Sequence, residues 1–255
     1  MGRPIVFITG ASQGIGAGIA REMSKAGYDV AINYNSSADK AMEVKAQVEA
    51  NGARAVVIQG DISSLTDIDR MFEEFFAAFD HVDVMVNNAG VTRFSPFLEA
   101  TPELFEALTN TDWRGSFFCA QRAARSMVEK GIKGTIINIT SNHQVGCWPR
   151  ASIYGPTKAA LNKFTRNAAL ELAPYGIRMV SIAPGYTRVR EPNPEWADRV
   201  EKLHKRLPLG RSCEPWEVGR ACVFLAGEGG GYITGTCLDM DGGALLPVVP
   251  DNMYV

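Results

Sequence analysis

The sequence predicts an α/β fold: one doubly wound parallel sheet of about seven strands, flanked by helices, in a single domain over residues 1–255. Three observations predict it. Short apolar, β-rich runs alternate with longer helical patterns from one end of the chain to the other, as in repeated strand–helix units. The first unit carries a cluster of glycines in the turn between its strand and its helix. No linker, internal repeat or low-complexity tract interrupts the series.

Ile5 to Thr9 is the first strand. It runs into Gly10-Ala11-Ser12-Gln13-Gly14-Ile15-Gly16, and an Ala-rich helix follows to about Ala26. Strand, glycine turn, helix is the context of a dinucleotide site: glycines admit a pyrophosphate close to the backbone, and the helix N-terminus favours its charge. The spacing is G-x-x-x-G-x-G rather than G-x-G-x-x-G, and a plain tight turn would use the same residues. Tyr28 to Tyr34 is the second strand, followed by Asn35-Ser36-Ser37 and a helix over 38–50. An NAD enzyme usually places a carboxylate at this strand end to hold the ribose. None stands in Asn33-Tyr34-Asn35-Ser36-Ser37, so a 2′-phosphate meets no repulsion there, with Asn35, Ser36, Ser37 and Lys40 as donors. NADP(H) is therefore favoured and NAD(H) remains possible.

Ala53 to Gln59 is the third strand, and Ser63 or Ser64 opens the helix after it. Met71, Phe72, Phe75, Phe76 and Phe79 recur there at core spacing. Val82 to Val86 is the fourth strand, ending in Asn87-Asn88-Ala89-Gly90, a turn whose amides suit bracing of neighbouring strands. A long helical region over 102–130 is expected to break near Asn110-Thr111. Thr135 to Thr140 is the fifth strand and delivers Ser141. The next helix begins near Ser152 and tolerates Pro156 because that residue lies in its first turn. Ile177 to Ala183 is the sixth strand, closed by Pro184-Gly185. The segment 186–209 is proline-bearing and weakly periodic, like a lid that orders over substrate. A helix over 214–226 and a strand over 236–240 follow. The apolar tail 244–255 is expected to cross to a neighbouring subunit, because an exposed apolar strip is costly in a monomer; the alternative is that it packs on its own subunit.

Composition excludes several classes. The formal net charge of −2 offers nothing to nucleic acid or to an anionic membrane. No apolar run is long enough to span a bilayer, and no signal peptide is read at the N-terminus. Cys119, Cys147, Cys213, Cys222 and Cys237 show neither C-x-x-C nor zinc spacing, so they read as free thiols in a reducing cytoplasm.

The chemistry centres on Tyr154 and Lys158, one helical turn apart on one face. A tyrosine hydroxyl with a pKa of about 10 is a poor base near neutrality. A lysine ammonium beside it favours the tyrosinate and makes it a usable general acid/base. Ser141, thirteen residues upstream, can hold the substrate oxygen. Such a site moves a proton on an alcohol or a carbonyl and lacks only a hydride carrier. A surface Tyr and Lys on an amphipathic helix would show the same spacing.

Thr9-Gly10-(x)3-Gly14-Ile15-Gly16, Asn87-Asn88-Ala89-Gly90, Ser141, Tyr154-(x)3-Lys158 and Pro184-Gly185 follow one another in a characteristic order, and Pro208-Leu209-Gly210-Arg211 and Asp241-Gly242-Gly243 continue it. The chain thereby resembles the short-chain dehydrogenase/reductases of the single-domain kind. The resemblance implies a Rossmann-type sheet, an NAD(P)-dependent oxidoreductase acting on a CH–OH group, and a homotetramer. It implies that Gly10, Gly14 and Gly16 cradle the pyrophosphate beside Ser12, Gln13 and Ile15, and that Asp61 and Ile62 flank the adenine. Asn88, Ala89 and Gly90 would line the nicotinamide, with Pro184, Gly185 and Thr187 at its carboxamide. Tyr154 would exchange the proton, Lys158 would hold the ribose, and Ser141 would orient the substrate. The chain departs from the pattern twice. Asp112 stands where the family has an Asn whose main-chain carbonyl holds a relay water, and Val189 stands where the family often has a Thr.

Asn142, His143 and Gln144 next to the reacting oxygen, with Trp148 as an aromatic plate and Tyr186 at the lid, suit a sugar or polyol substrate. The second-strand end is similar to that of sugar dehydrogenases such as glucose dehydrogenase. Val91-Thr92-Arg93 looks instead like 3-oxoacyl-carrier-protein reductases, whose acidic carrier Arg122, Arg125, Lys130 and Lys133 could meet. A catalytically idle dinucleotide-binding scaffold is the reading from another class, and intact Ser141, Tyr154 and Lys158 argue against it.

Overall fold

The computed structural model describes residues 2–189 and 197–246. Seven strands form one parallel sheet: β1 (Ile5–Ile8), β2 (Asp29–Tyr34), β3 (Ala55–Gln59), β4 (Val84–Asn87), β5 (Thr135–Ile139), β6 (Arg178–Pro184) and β7 (Cys237–Met240). Their spatial order is β3-β2-β1-β4-β5-β6-β7. The chain starts mid-sheet, steps outward to β3, then returns past β1 and builds the other half. Val6 lies between Val30 of β2 and Val84 of β4, so the direction of winding reverses at β1 and β4. The connections splay apart there and open a crevice at the C-terminal strand ends.

The helices are α1 (Gly14–Lys25), α2 (Ala38–Ala50), α3 (Leu65–Ala78), α4 (Pro102–Leu108), α5 (Ser116–Lys130), α6 (Tyr154–Leu172), α7 (Ala197–His204) and α8 (Pro215–Ala226). Side chains alternate across the sheet. Val6 and Ile8 pack with Ile19, Met23, Val44 and Val218 of α1, α2 and α8, whereas Ile5 and Phe7 pack with Met71, Phe75 and Met127 of α3 and α5. Phe7 stacks on Phe75 at 4.8 Å and meets Phe72 edge-on. The aromatic series of α3 is thus core, as its spacing predicts. Gly18 on α1 and Gly219 on α8 let those helices touch: a Cβ on Gly18 would stand 2.5 Å from the Pro215 carbonyl oxygen.

Several expectations need adjusting. Ser64 is the residue that caps α3, accepting from the Asp67 amide at 3.2 Å. The break expected near Asn110-Thr111 is a π-helical stretch, Thr109–Gly115, inserted between α4 and α5. Gly115 lets this stretch press on the loop after β3, since a Cβ there would meet the Ile62 carbonyl oxygen at 2.3 Å. The lid segment contains a helix, α7, that weak periodicity concealed. Both of its flanks are tied down: Thr187 bridges to Cys213, and the Leu209 amide donates to the Gly242 carbonyl at 3.1 Å. Residues 190–196, with Pro192, Pro194 and Trp196, lie outside the described residues, as does the tail from Pro247 to Val255. The tail's first residues, 244–246, turn back on their own subunit. The Asp241 carboxylate accepts from the Gly243 and Leu245 amides at 2.9 and 3.0 Å, and Leu245 reaches Gly146 and Trp148. No helix of the described residues is long and apolar enough to cross a membrane.

Candidate active site

β5 ends at Ile139; Thr140 follows, and Ser141 then caps a 3-10 turn over Asn142–Gln144 by accepting from the His143 amide at 3.3 Å. That turn touches α6 where Gly155 leaves room for the His143 carbonyl, 3.1 Å from a would-be Cβ. Helix α6 starts at Tyr154 itself, two residues later than expected, and Pro156 sits harmlessly in its first turn. Ser141, Tyr154 and Lys158 are 7%, 8% and 4% exposed, so the three polar groups are buried together at the crevice and are not a solvated helix face. The Lys158 ammonium lies 5.7 Å from the Tyr154 ring centre and donates to the Ile139 carbonyl at 3.3 Å.

Asp112 comes from the π-helical stretch and is fully buried. Its Oδ1 accepts from the Val91 amide at 2.6 Å. Its Oδ2 stands 3.1 Å from Lys158 Nζ, an ion pair without hydrogen-bond alignment. Burial alone would push the Lys158 ammonium down. The Asp112 carboxylate and, after it, Tyr154 outweigh burial, and the lysine sits above its usual range. The side chain at 112 therefore pairs with Lys158, whatever its main-chain carbonyl does. Gly90 permits the arrangement, because a Cβ there would lie 3.2 Å from both Asp112 Oδ2 and Lys158 Nζ.

The glycine turn fits a pyrophosphate. Gly10 has a φ of +61° and a would-be Cβ 2.8 Å from Ala89 Cα; on Gly16 a Cβ would fall 2.4 Å from the Gly10 carbonyl oxygen. No side chain can stand at Gly10 or Gly16 without displacing the backbone of this turn or the loop after β4. Helix α1 begins here with no side-chain cap from Gln13 and no acidic residue in its first turn, so its amides are open to an anion. Asn88 donates to the Thr9 and Gly10 carbonyls at 2.9 and 3.0 Å, and Thr9 Oγ1 accepts from the Asn88 and Ala89 amides. Asn33 completes the brace by accepting from the Gly10 amide at 3.0 Å and donating to the Gly60 carbonyl. Sequence reasoning passed over Thr9 and Asn33 as site-shaping residues. Their signal was a polar residue at an otherwise apolar strand end.

At the second strand end Asn35 and Ser36 are exposed, but Asn35 donates to the Asp61 carboxylate at 3.1 Å. A carboxylate does stand near this edge, contributed by β3 and not by β2. Lys40 donates to Gln13 Oε1 at 2.8 Å, so the two side chains bridge across the glycine turn. Ile62 is buried in the core, and only its backbone faces outward contacts. Pro184 pairs with Met240, Gly185 lies against Asp241, and Thr187 Oγ1 donates to the Gly185 carbonyl at 3.3 Å. Val189 reaches across to Gly14.

The substrate side is an aromatic wall. His143 stacks on Trp148 at 4.1 Å and on Phe94 at 5.7 Å, and meets Tyr154 edge-on at 5.2 Å. Burial lowers the His143 pKa, so the ring is neutral near pH 7. Phe94 also abuts Tyr154, a role nothing in its local sequence signals. Asn142 is 3% exposed and packs toward Gly185, while Gln144 donates to Cys237 Sγ at 3.0 Å. Two of the three polar residues expected beside the reacting oxygen thus turn inward. Tyr186, at 41% exposure, stands at the edge of a second hollow shared with Leu209, Asp239 and Asp241.

Comparison with known proteins places this geometry in context. A family model described as enoyl-(acyl carrier protein) reductase matches residues 10–244. L-rhamnose 1-dehydrogenase (NAD(P)(+)) of Azotobacter vinelandii is 35% identical over 93% of this chain and 95% of its own length. A 3-oxoacyl-acyl-carrier-protein reductase of Staphylococcus epidermidis is 34% identical over 93% of this chain and 97% of its own. Among solved structures, a putative short-chain alcohol dehydrogenase of Sinorhizobium meliloti superposes with a TM-score of 0.91 at 32% identity, covering 97% of this chain and 98% of that one.

Proposed function

The chain belongs to the short-chain dehydrogenase/reductase family and is an oxidoreductase, and from that premise we propose that it oxidises a sugar or polyol CH–OH group, or reduces the matching ketone, with NADP(H) preferred over NAD(H). The observation that carries this reading is the burial of Ser141, Tyr154 and Lys158 at the crevice beside a turn whose Gly10 and Gly16 have no room for side chains. A bound nicotinamide dinucleotide supplies the hydride acceptor or donor. Gly10, Gly14, Gly16 and the open amides of α1 would hold its pyrophosphate, with Asn88 to Gly90 and Pro184 to Thr187 on the nicotinamide side. Ser141 holds the substrate oxygen, and Tyr154 Oη takes the hydroxyl proton in oxidation or returns it in reduction. Lys158 keeps positive charge beside the phenol.

The wall of Phe94, His143 and Trp148 supports a substrate presenting a ring face. The rhamnose dehydrogenase relative acts on such a sugar by its name. The acyl-carrier reading loses one of its contacts, because Arg122 is engaged by Asp69 at 2.8 Å. All five cysteines are free, which supports a cytoplasmic setting. A homotetramer completes the proposal. A panel of aldoses, polyols and β-ketoesters, run with both cofactors, tests it. Preference for a β-ketoester over every sugar would replace the sugar reading with the ketone-reductase one. Cofactor binding without turnover of any substrate would favour the idle scaffold.

A further inference from the structure

Asp112 is a fully buried carboxylate with two partners from two different elements. One oxygen accepts from the Val91 amide, just past the loop that lines the crevice, and the other faces the Lys158 ammonium on α6. An ammonium has three protons to donate. One points to the Ile139 carbonyl, while Asp112 Oδ2 stands 3.1 Å from the ammonium without hydrogen-bond alignment and acts on it through its charge. We propose that Asp112 is the positioning residue of this site: one buried charge clamps the Lys158 ammonium and the Val91 amide together, fixing the lysine against the loop formed by Asn88 to Val91.

The physical reasons are burial and charge. A cation as buried as Lys158 has lost nearly all its water, and a buried unpaired charge shifts toward its neutral form. Asp112 offsets that loss, in accord with the raised proton affinity of the lysine. The titratable group packed beside the pair is Tyr154, one turn away on α6; His143, from the turn after β5, meets Tyr154 in turn, and its ring is kept neutral by burial. Neither can replace the carboxylate as a permanent counter-ion. Gly90 is the steric counterpart, since any side chain there would enter the pair. A neutral Asn at 112 would keep an acceptor for the Val91 amide and present an N–H donor toward the ammonium. Asp112→Asn therefore separates the charge from the loop contact.

The test follows the lysine directly. In the protein without cofactor, nitrogen NMR of Lys158 Nζ should show deprotonation in Asp112→Asn at a pH lower than in wild type by about one unit or more, the effect of an opposite charge at this range. The loss of kcat in Asp112→Asn should grow as pH rises, because the variant lysine discharges first. An unshifted Lys158 titration, or a rate loss equal at every pH, would make Asp112 a purely structural residue and overturn the proposal. Stability supplies a third arm. Asp112→Asn and Lys158→Met should each lower the thermal midpoint, and the double variant should lie above the value expected from adding the two losses. If either single variant fails to fold, recovery of the fold in the double is the expected result and its absence overturns the pairing. Only the kinetic arm rests on the oxidoreductase reading; the other two need no turnover, so failure of that reading and failure of this one are distinguishable.

Discussion

In the proposed reaction Tyr154 carries the one proton that must move, and its hydroxyl is the only part that Tyr154→Phe removes. The ring contacts to Phe94 and His143 survive the change. Turnover should fall to less than about a hundredth of wild type, given the usual worth of general acid/base catalysis, while cofactor binding by fluorescence stays the same. A variant with most of its activity would show that another group moves the proton. Under the proposed NADP(H) preference, Lys40 is the residue on which cofactor choice would turn. It bridges to Gln13 across the glycine turn, and Asp61 has already engaged Asn35 nearby, so the cation is the clearest attraction for a 2′-phosphate. Lys40→Ala should raise the Kd for NADPH by about tenfold, the magnitude of a charge-assisted hydrogen bond, and leave the Kd for NADH nearly unchanged. Equal weakening of both would assign Lys40 to scaffolding.

Elements deliver these residues through their ends. The C-termini of β1, β4 and β5 supply the glycine turn, the Asn88 loop and Ser141, and the first turn of α6 supplies Tyr154. Helix α8 shows how such an end is fastened. Glu217 accepts from the Glu214 amide at 2.9 Å and from both Arg211 nitrogens at 2.7 Å, closing a capping box. Arg211 first, and the Glu214 amide after it, hold the Glu217 carboxyl down at about 2. A carboxylate with a lowered folded value stabilises the fold above its unfolded value and loses that contribution as pH falls through the folded one. The stabilisation should therefore be complete above the ordinary value of 4.5 and vanish toward pH 2. Urea unfolding of Glu217→Gln should show a deficit against wild type at neutral pH that shrinks over this window. A deficit independent of pH would mean that shape, not charge, fastens the helix.

At the scale of the molecule, α5 and α6 leave an apolar groove of about 550 Å³ between them, with Trp113, Phe117, Ala124, Phe164 and Leu172 on its walls. An exposed groove of that character is what a second copy of the chain would cover in a symmetric oligomer. Ala160→Arg puts a charge at its edge and should lower the sedimenting mass below that of the proposed tetramer without changing the far-ultraviolet circular dichroism. An unchanged mass would place the subunit contact elsewhere. Redox conditions should matter little to the core, since burial pushes the Cys119 thiol up to about 12.

The order of strands and helices was legible in the chain alone, and so were Ser141, Tyr154 and Lys158 as candidate residues. Each rests on local chemistry: β-branched runs, helical periodicity, glycines at a strand end, and two side chains one turn apart. The break before α5 was legible as a place but not as a π-helical stretch. What only the tertiary structure decided are the contacts between distant segments. The Asp112–Lys158 pair joins residues far apart in the chain, with Gly90 leaving room beside it. The brace from Asn33 to Gly10, the wall of Phe94 against His143 and the approach of Asp61 to Asn35 are of the same kind. The inward turn of Asn142 and Gln144 has the same origin, because a side chain's direction at a strand end is set by what packs above it. Local sequence encodes the conformation of a segment. Which polar groups share a buried space is settled only when the sheet brings its strand ends together and removes the water between them.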